Sequence, residues 1–528
     1  MSITSLTTHW HGLDRDTGRA LQGRKLHRYL RDCVLPFSEH YRTLFAKLGL
    51  SDGDFHSVAD LQKLPFTAKE DLLPTPGNPS RALSFALIPD PAKLARRPRV
   101  IARALLRGRA RVKEELDREW RPTFMTATTG RSTESVPFLY TQHDLHNLAI
   151  GCDRITGIGR VTRDERMLNM FPFAPHLAFW GMHFAGLEHN TFTLSTGGGK
   201  CMGTEGNLRA ILKLKPQILV AMPTFIYHVL QQALDEKLRI EGVRIICLGG
   251  EKVADGTRRK LAAMCEQLGS PGVQVMATYG FTEAKLAWTE CPVPPTGTPT
   301  GYHLYPDMGI VEVVDPETGS PVPDGTRGEI IWTPLDQRGT VVLRYRTGDL
   351  IENGLTWETC PCCGRTLPRL MGRISRVSEF RALRFQKVKG TIVDFNELEH
   401  ALDDVPGIGS WQIELRKAHD DPLELDEIVL HLTRIADTSE ATVENALREV
   451  LQAQFEIRPN KIVFHTEAEM KTLQKVGVAL KEEKVVDHRP KAAACPEPVE
   501  RAVSACPEPA ERAERVERVA PQSQEARP

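Results

Sequence analysis

Hydrophobic and polar positions fall into successive regimes along the chain. From residue 1 to about 75 apolar residues recur at helical spacing, until Pro74-Thr75-Pro76-Gly77-Asn78-Pro79 breaks the pattern. Between 93 and 111, Arg96, Arg97, Arg99, Arg103, Arg107, Arg109 and Arg111 are interleaved with Val100, Ile101, Leu105 and Leu106, again at helical spacing. Such a segment is either a solvated helix face or a docking surface for an acidic partner such as a carrier protein or CoA phosphates. From 120 to about 370 short apolar runs alternate with amphipathic stretches, the signature of an α/β sheet. The runs 218–222, 244–248 and 273–276 predict buried parallel strands. Their ends open at Pro223-Thr224, at Gly249-Gly250-Glu251 and at Tyr279-Gly280. In a parallel sheet these ends share one edge, where open α/β sheets bind ligands. Between 310 and 345 the runs 311–314 and 328–332, separated by Asp315-Pro316-Glu317-Thr318-Gly319, predict antiparallel β structure.

A smaller unit follows Gly372-Arg373. Its pattern predicts a helix over 395–402, strands over 411–415 and 428–432, a helix capped by Ser439 and a last strand over 461–465. Beyond Asp487 Pro, Ala, Glu and Arg dominate, and the octet from Cys495 nearly repeats from Cys506, which predicts a disordered tail. The expected fold is α/β. A large N-terminal domain over 1–371 carries parallel sheets and an antiparallel β subdomain, a small α+β domain covers 372–490, and the tail covers 491–528.

Charge and cysteine usage narrow the class. The 528 residues carry no formal net charge, so no global field selects nucleic acid or a membrane. No apolar run approaches the length of a membrane span, and no apolar signal core opens the chain. The 11 cysteines are mostly scattered singly, which suits free thiols in the cytoplasm better than a disulfide framework.

The candidate chemistry lies in four loops. Thr126-Ala127-Thr128-Thr129-Gly130-Arg131-Ser132-Thr133 is rich in hydroxyls around a glycine, as an anion nest is. Tyr279-Gly280-Phe281-Thr282-Glu283 sets a hydroxyl beside a carboxylate, an oxygen ligand of the kind Mg²⁺ takes. Tyr345-Arg346-Thr347-Gly348-Asp349 places a carboxylate at a turn, and Gly372-Arg373 follows. This ordered set resembles the adenylate-forming superfamily of acyl-CoA ligases, and the stretch 55–72 resembles its phenylacetate-CoA ligase branch. The resemblance runs from about 25 to 487.

It implies ATP-dependent activation of a carboxylic acid as an acyl-adenylate, followed by transfer to CoA, with ATP, Mg²⁺ and CoA as cofactors. Thr128, Thr129 and Gly130 would hold the leaving phosphates, Thr282 the α-phosphate and Glu283 the Mg²⁺. Gly249, Gly250, Glu251 and Tyr279 would frame the adenine, Gly280 would join the nucleotide site, and Asp349 and Arg373 would lie at the ribose. The C-terminal domain becomes a mobile lid, and Lys481 its adenylation lysine, with Lys475 as the alternative. Three departures stand out: Ala127 where the loop usually has Gly, no Gly directly before Lys481, and no Asp after Gly372-Arg373. An acyl carrier protein as acceptor, nucleotidyl transfer to a deazaflavin-cofactor hydroxyl, a non-catalytic nucleotide-binding relative and a homodimer stay open. The aromatic stretch 171–181 is a candidate acyl pocket. Separately, Cys360 and Cys363 have the spacing of a zinc knuckle, and Cys291 and His303 upstream complete a thiolate–imidazole set for a structural Zn²⁺, with Cys362 as the alternative to either neighbour.

Overall fold

The computed structural model of the chain describes residues 10–128, 135–377, 395–417, 426–435, 438–455, 459–478 and 482–489. The expectations for Thr129, Gly130 and Lys481, and for the tail from 490, lie outside these residues.

A hairpin, β1 (Pro122–Ala127) against β2 (Pro137–Thr141), carries the hydroxyl-rich loop between its strands. Behind it the helix Gln142–Ile158 starts at a capping box in which the Thr141 hydroxyl accepts from Asp144 N and the Asp144 carboxylate accepts from Thr141 N. The main sheet has nine strands. β3 (Arg166–Asn169), β4 (Phe192–Ser195), β5 (Ile218–Ala221), β6 (Ile245–Leu248) and β7 (Gln274–Phe281) are parallel, in the order β7-β6-β5-β3-β4. β5 and β6 are buried along their whole length, which is why they read as unbroken apolar runs. On the far side of β7 the sheet turns antiparallel through β8 (Leu286–Thr289) and β9 (Tyr302–His303).

The antiparallel block is a second sheet. β10 (Gly309–Val314), β11 (Gly328–Pro334) and β12 (Tyr345–Ile351) pair in sequence, and β15 (Ile374–Arg376) closes the edge against β12. The short strands β13 (Leu355–Thr356) and β14 (Arg369–Leu370), between them in sequence, extend the main sheet beyond β9. The C-terminal sheet runs β18 (Lys461–Phe464), β17 (Asp426–Arg434), β16 (Ile408–Lys417), β19 (Val485–Asp487), with its own hydrophobic cluster from Phe395 to Leu451.

Two local expectations change. The N-terminal helices Arg15–Tyr29 and Glu39–Leu48 form as expected, but 52–71 is a series of 3₁₀ turns. Asp54 and Asp60 cap the amides of Ser51 and Ser57, and that local bonding competes with a continuing helix. The strand through 276 does not stop at Gly280 either. It runs on to Phe281 because Gly280 pairs with Ala287, whose side chain would meet a Cβ at 2.9 Å. The strand-end turn is therefore Thr282–Ala284, a 3₁₀ turn that leads back into β8, with Lys285 at φ 51.

Candidate active site

The edge defined by β5, β6 and β7 gathers most of the expected residues. Thr282 and Glu283 lie in the tight turn after β7, and both are buried. Tyr345, at the start of β12, donates its hydroxyl to Glu283 Oε1 at 2.7 Å. Tyr279, on β7, donates to Asp349 Oδ2 at 2.8 Å. Two tyrosines thus cross between the sheets, and each fixes a carboxylate of the partner sheet or turn. Burial pushes both phenols well above their ordinary value, and the adjacent carboxylate pushes them further, so each stays a donor. Burial also raises the Glu283 carboxyl, against the opposing hydrogen bond from Tyr345.

Asp349 sits one residue after Gly348, whose φ of 70 is the left-handed turn conformation that glycine permits. The Thr347 hydroxyl donates to Ile330 O at 2.7 Å and accepts from Asp349 N at 3.0 Å, pinning the turn to β11. The arginine beside Asp349 is Arg376, its register partner across β12 and β15, with Nε 2.9 Å from Oδ1. Arg373 reaches Glu352 and Glu397 at 3.4 Å instead. Arg376 could be found only from the pairing of two strands 27 residues apart, whereas Tyr345 already opened the quoted five-residue string.

The remaining positions close the same edge. Gly249 and Gly250 follow β6. A Cβ on Gly249 would meet the Thr278 hydroxyl at 2.3 Å, and Gly250 has a φ of 81. Glu251 Oε2 accepts from Thr224 N at 3.1 Å and Thr224 Oγ at 3.0 Å, at the start of the helix Pro223–Asp235. Thr128 Oγ accepts from Val136 N at 3.0 Å, which leaves its own proton to donate. Ser135 Oγ donates to Thr128 O at 2.9 Å across the same loop. Ala127 N donates to Pro175 O at 2.6 Å, tying the loop to the aromatic segment. In that segment Trp180 packs edge-on to Phe124 and Phe179 and stacks on Phe184.

Of the two lysines, Lys475 is half exposed and pairs with Glu483 at 2.9 Å. Lys481 lies outside the described residues, but its neighbour Glu482 is buried and feels the Glu251 charge. Burial, and then the Glu251 charge, raise the Glu482 carboxyl well above its ordinary value. The C-terminal unit meets the large lobe along a polar seam. Tyr227 donates to Glu467 at 3.0 Å, His228 Nε2 lies 3.1 Å from Gln474 Oε1, and Lys252 pairs with Glu399 at 3.0 Å.

A second constellation joins Cys291, His303, Cys360 and Cys363, whose donor atoms all lie within 4.8 Å of one another. Cys291 Sγ is 3.8 Å from Cys360 Sγ and 3.9 Å from His303 Nε2, and Cys363 Sγ is 3.4 Å from the same nitrogen. Tetrahedral bonds of about 2.3 Å would set donors roughly 3.8 Å apart. His303 Nδ1 donates to Thr289 O at 3.1 Å, which turns Nε2 inward as an acceptor. Hydrogen bonding with Cys291, and then with Cys360, pulls the Cys363 thiol far down. Cys362 is not in the set; its carbonyl accepts from Arg160.

A family model described as AMP-binding enzyme matches residues 138–333. The phenylacetate-coenzyme A ligase of Thermus thermophilus is 27% identical over 388 residues, 72% of this chain and 75% of that one. A crystal structure of 2-hydroxyisobutyryl-CoA ligase in the postadenylation state, in complex with R3-HIB-AMP, superposes with a TM-score of 0.69 at 17% identity, over 91% of this chain and 92% of that one. The same ligase with 2-HIB-AMP and CoA in the thioesterification state superposes with a TM-score of 0.58 at 17% identity, over 91% of each chain.

Proposed function

We propose residue roles for this chain as a member of the adenylate-forming superfamily, in its phenylacetate-CoA ligase-like branch. It is an AMP-forming acid–thiol ligase: ATP activates a carboxylic acid as the acyl-adenylate, and CoA takes the acyl group as a thioester. The observation that carries the assignment of roles is the pair of tyrosine bridges, Tyr279 to Asp349 and Tyr345 to Glu283. They bring a diol acceptor and a metal-type carboxylate from two sheets to one strand-end edge.

In the first half-reaction the substrate carboxylate oxygen bonds to the α-phosphorus and the bond to the departing pyrophosphate breaks. Such chemistry depends on positioning and charge neutralisation. Asp349, oriented by Tyr279 and Arg376, accepts from the ribose hydroxyls. The Gly249-Gly250 turn lets the adenine approach the backbone beside Tyr279. Thr282 donates to the α-phosphate, and Thr128, with Thr129 and Gly130, to the leaving phosphates. Glu283, a hard oxygen ligand held in place by Tyr345, would hold Mg²⁺. A Mg²⁺ held there would neutralise phosphate charge. Lys481 supplies the late cation: the Glu251 charge acting on its neighbour Glu482 supports this reading, while Lys475 is engaged with Glu483. The four-donor set at Cys291, His303, Cys360 and Cys363 fits a structural Zn²⁺ with no open position for chemistry. The site works in the cytoplasm, where thiols stay reduced.

The test is carboxylate-dependent exchange of pyrophosphate into ATP, screened across aryl and fatty acids, followed by CoA as acceptor. Exchange stimulated by at least one acid and AMP released with CoA are the expected results. No exchange with any acid, in a protein that still binds ATP, would overturn the ligase reading in favour of a nucleotide-binding relative.

A further inference from the structure

The arginine-rich segment takes no part in this site, and its helices are arranged against the usual rule. The helices Pro98–Arg107 and Arg109–Trp120 fold back on each other about Gly108, as Arg103, Arg107 and Arg111 all converge on Glu115. Val100 points inward, and Arg97 packs over the Phe37 ring. The apolar face of the first helix points outward: Ile101 is 47% exposed, Leu105 83% and Leu106 85%. A globular helix normally buries that stripe. Around it Arg96, Arg99, Arg107, Arg109 and Arg111 are exposed. From Pro91 to Lys113 the chain has nine Lys and Arg and no Asp or Glu, and Glu115 is one carboxylate shared among three guanidinium groups.

We propose that this helical hairpin docks the protein on an anionic lipid surface, with Leu105 and Leu106 entering the boundary between headgroups and acyl chains. Two adjacent leucines at an exposed apex, flanked by arginines, match an in-plane interfacial helix, which gains from buried apolar area and from charge together. At the apex Gly108 is exposed. A second copy docked there would set like charges face to face. The inference stands independently of the ligase reading.

The test uses the full chain, co-sedimented with phosphatidylcholine vesicles and with vesicles that also contain phosphatidylglycerol. Binding is expected only to the anionic vesicles and is expected to weaken with salt. Removing a single flanking charge, as in Arg99→Ala or Arg109→Ala, lowers partitioning on the order of fivefold. The double change Leu105→Ser and Leu106→Ser, which leaves every charge in place, lowers it by about tenfold or more. In Leu106→Trp the new indole's emission shifts to the blue on anionic vesicles, a readout that needs neither turnover nor a destabilising change. Absence of binding to anionic vesicles overturns the proposal, as does binding that the leucine change leaves untouched. If acidic holo carrier protein binds the hairpin and vesicles do not, the surface belongs to a protein partner and the lipid assignment is wrong.

Discussion

At the residue scale, Glu283 combines burial with the charge that its proposed metal role requires. Its carboxyl is raised by burial and held back by the Tyr345 hydrogen bond. An acid raised in the folded state is favoured there in its neutral form. Its contribution to stability is therefore present below the ordinary 4.5 and lost as pH rises through the raised value. Once ionised, the group works against the fold until a cation joins it, so Mg·ATP should raise the melting temperature of the parent protein and raise it less in Glu283→Gln. That variant should fold and lose adenylation; full pyrophosphate exchange would remove the metal role. Tyr345→Phe deletes the bond that favours the ionised form, worth about 1.5–3 kcal/mol for a charged acceptor. The acid limb of its pH–rate profile should move to higher pH, by about one unit or more. An unmoved limb would mean that some other group sets it. Behind the turn, buried Lys285 pairs with Asp144 at 3.1 Å and donates to Leu139 O and Arg338 O. Lys285→Met strands the Asp144 charge and should cost about 3–5 kcal/mol in urea unfolding. A loss well under 1 kcal/mol would show that Asp144 is satisfied without it.

At the element scale, the cysteine–histidine set ties Cys291, after β8, and His303, on β9, to the Cys360–Cys363 loop that precedes β14. All three strands belong to the short antiparallel wing of the main sheet, where two-residue strands have little pairing of their own. Purified protein should carry about one equivalent of zinc, and a strong chelator should lower its melting temperature. Metal analysis that finds none, with all four side chains titratable in the native state, would exclude the ion. The four side chains could be gathered from the sequence because thiol and imidazole spacing is a local signal, and their closure across 69 residues follows from the sheet. The parallel strands were legible for a similar reason, since burial on both faces writes itself as a continuous apolar run. Structure decided by pairing was not legible. Gly280 reads as a strand end but continues β7 because Ala287 lies against it, and Arg376 reaches Asp349 through antiparallel register, where sequence order pointed to Arg373. Nor does helical spacing show which face a helix buries, and the helix Pro98–Arg107 turns its leucines outward.

At the scale of the whole molecule, the two hydrophobic cores meet across the seam of Tyr227, His228 and Lys252 with Glu467, Gln474 and Glu399. A seam built from hydrogen bonds and ion pairs can open and re-form, as the proposed lid would require. His228 is fully buried within it, faces Gln474 and Glu467, and feels the Lys471 charge. Burial lowers its imidazole from the ordinary 6.5 to about 4. For a base lowered in the docked state, the stabilisation is complete above the ordinary value and is lost as pH falls through the lowered one. Acidification from 6.5 towards 4 should therefore loosen the seam, seen as a larger radius of gyration in small-angle scattering while the far-ultraviolet circular dichroism of each lobe persists. His228→Gln keeps a hydrogen-bonding side chain without the titration, and its scattering should stay flat over that window. In turnover the two halves should separate. Lys481→Ala should cut adenylate formation by about 10²–10³, the usual effect of losing one preorganised electrostatic donor. It should spare CoA attack on a supplied acyl-adenylate, because that step needs no cation at the α-phosphate. A split shown by Lys475→Ala and not by Lys481→Ala would transfer the role to the lysine now paired with Glu483. Equal losses in both half-reactions would mean that the seam serves the fold rather than the lid.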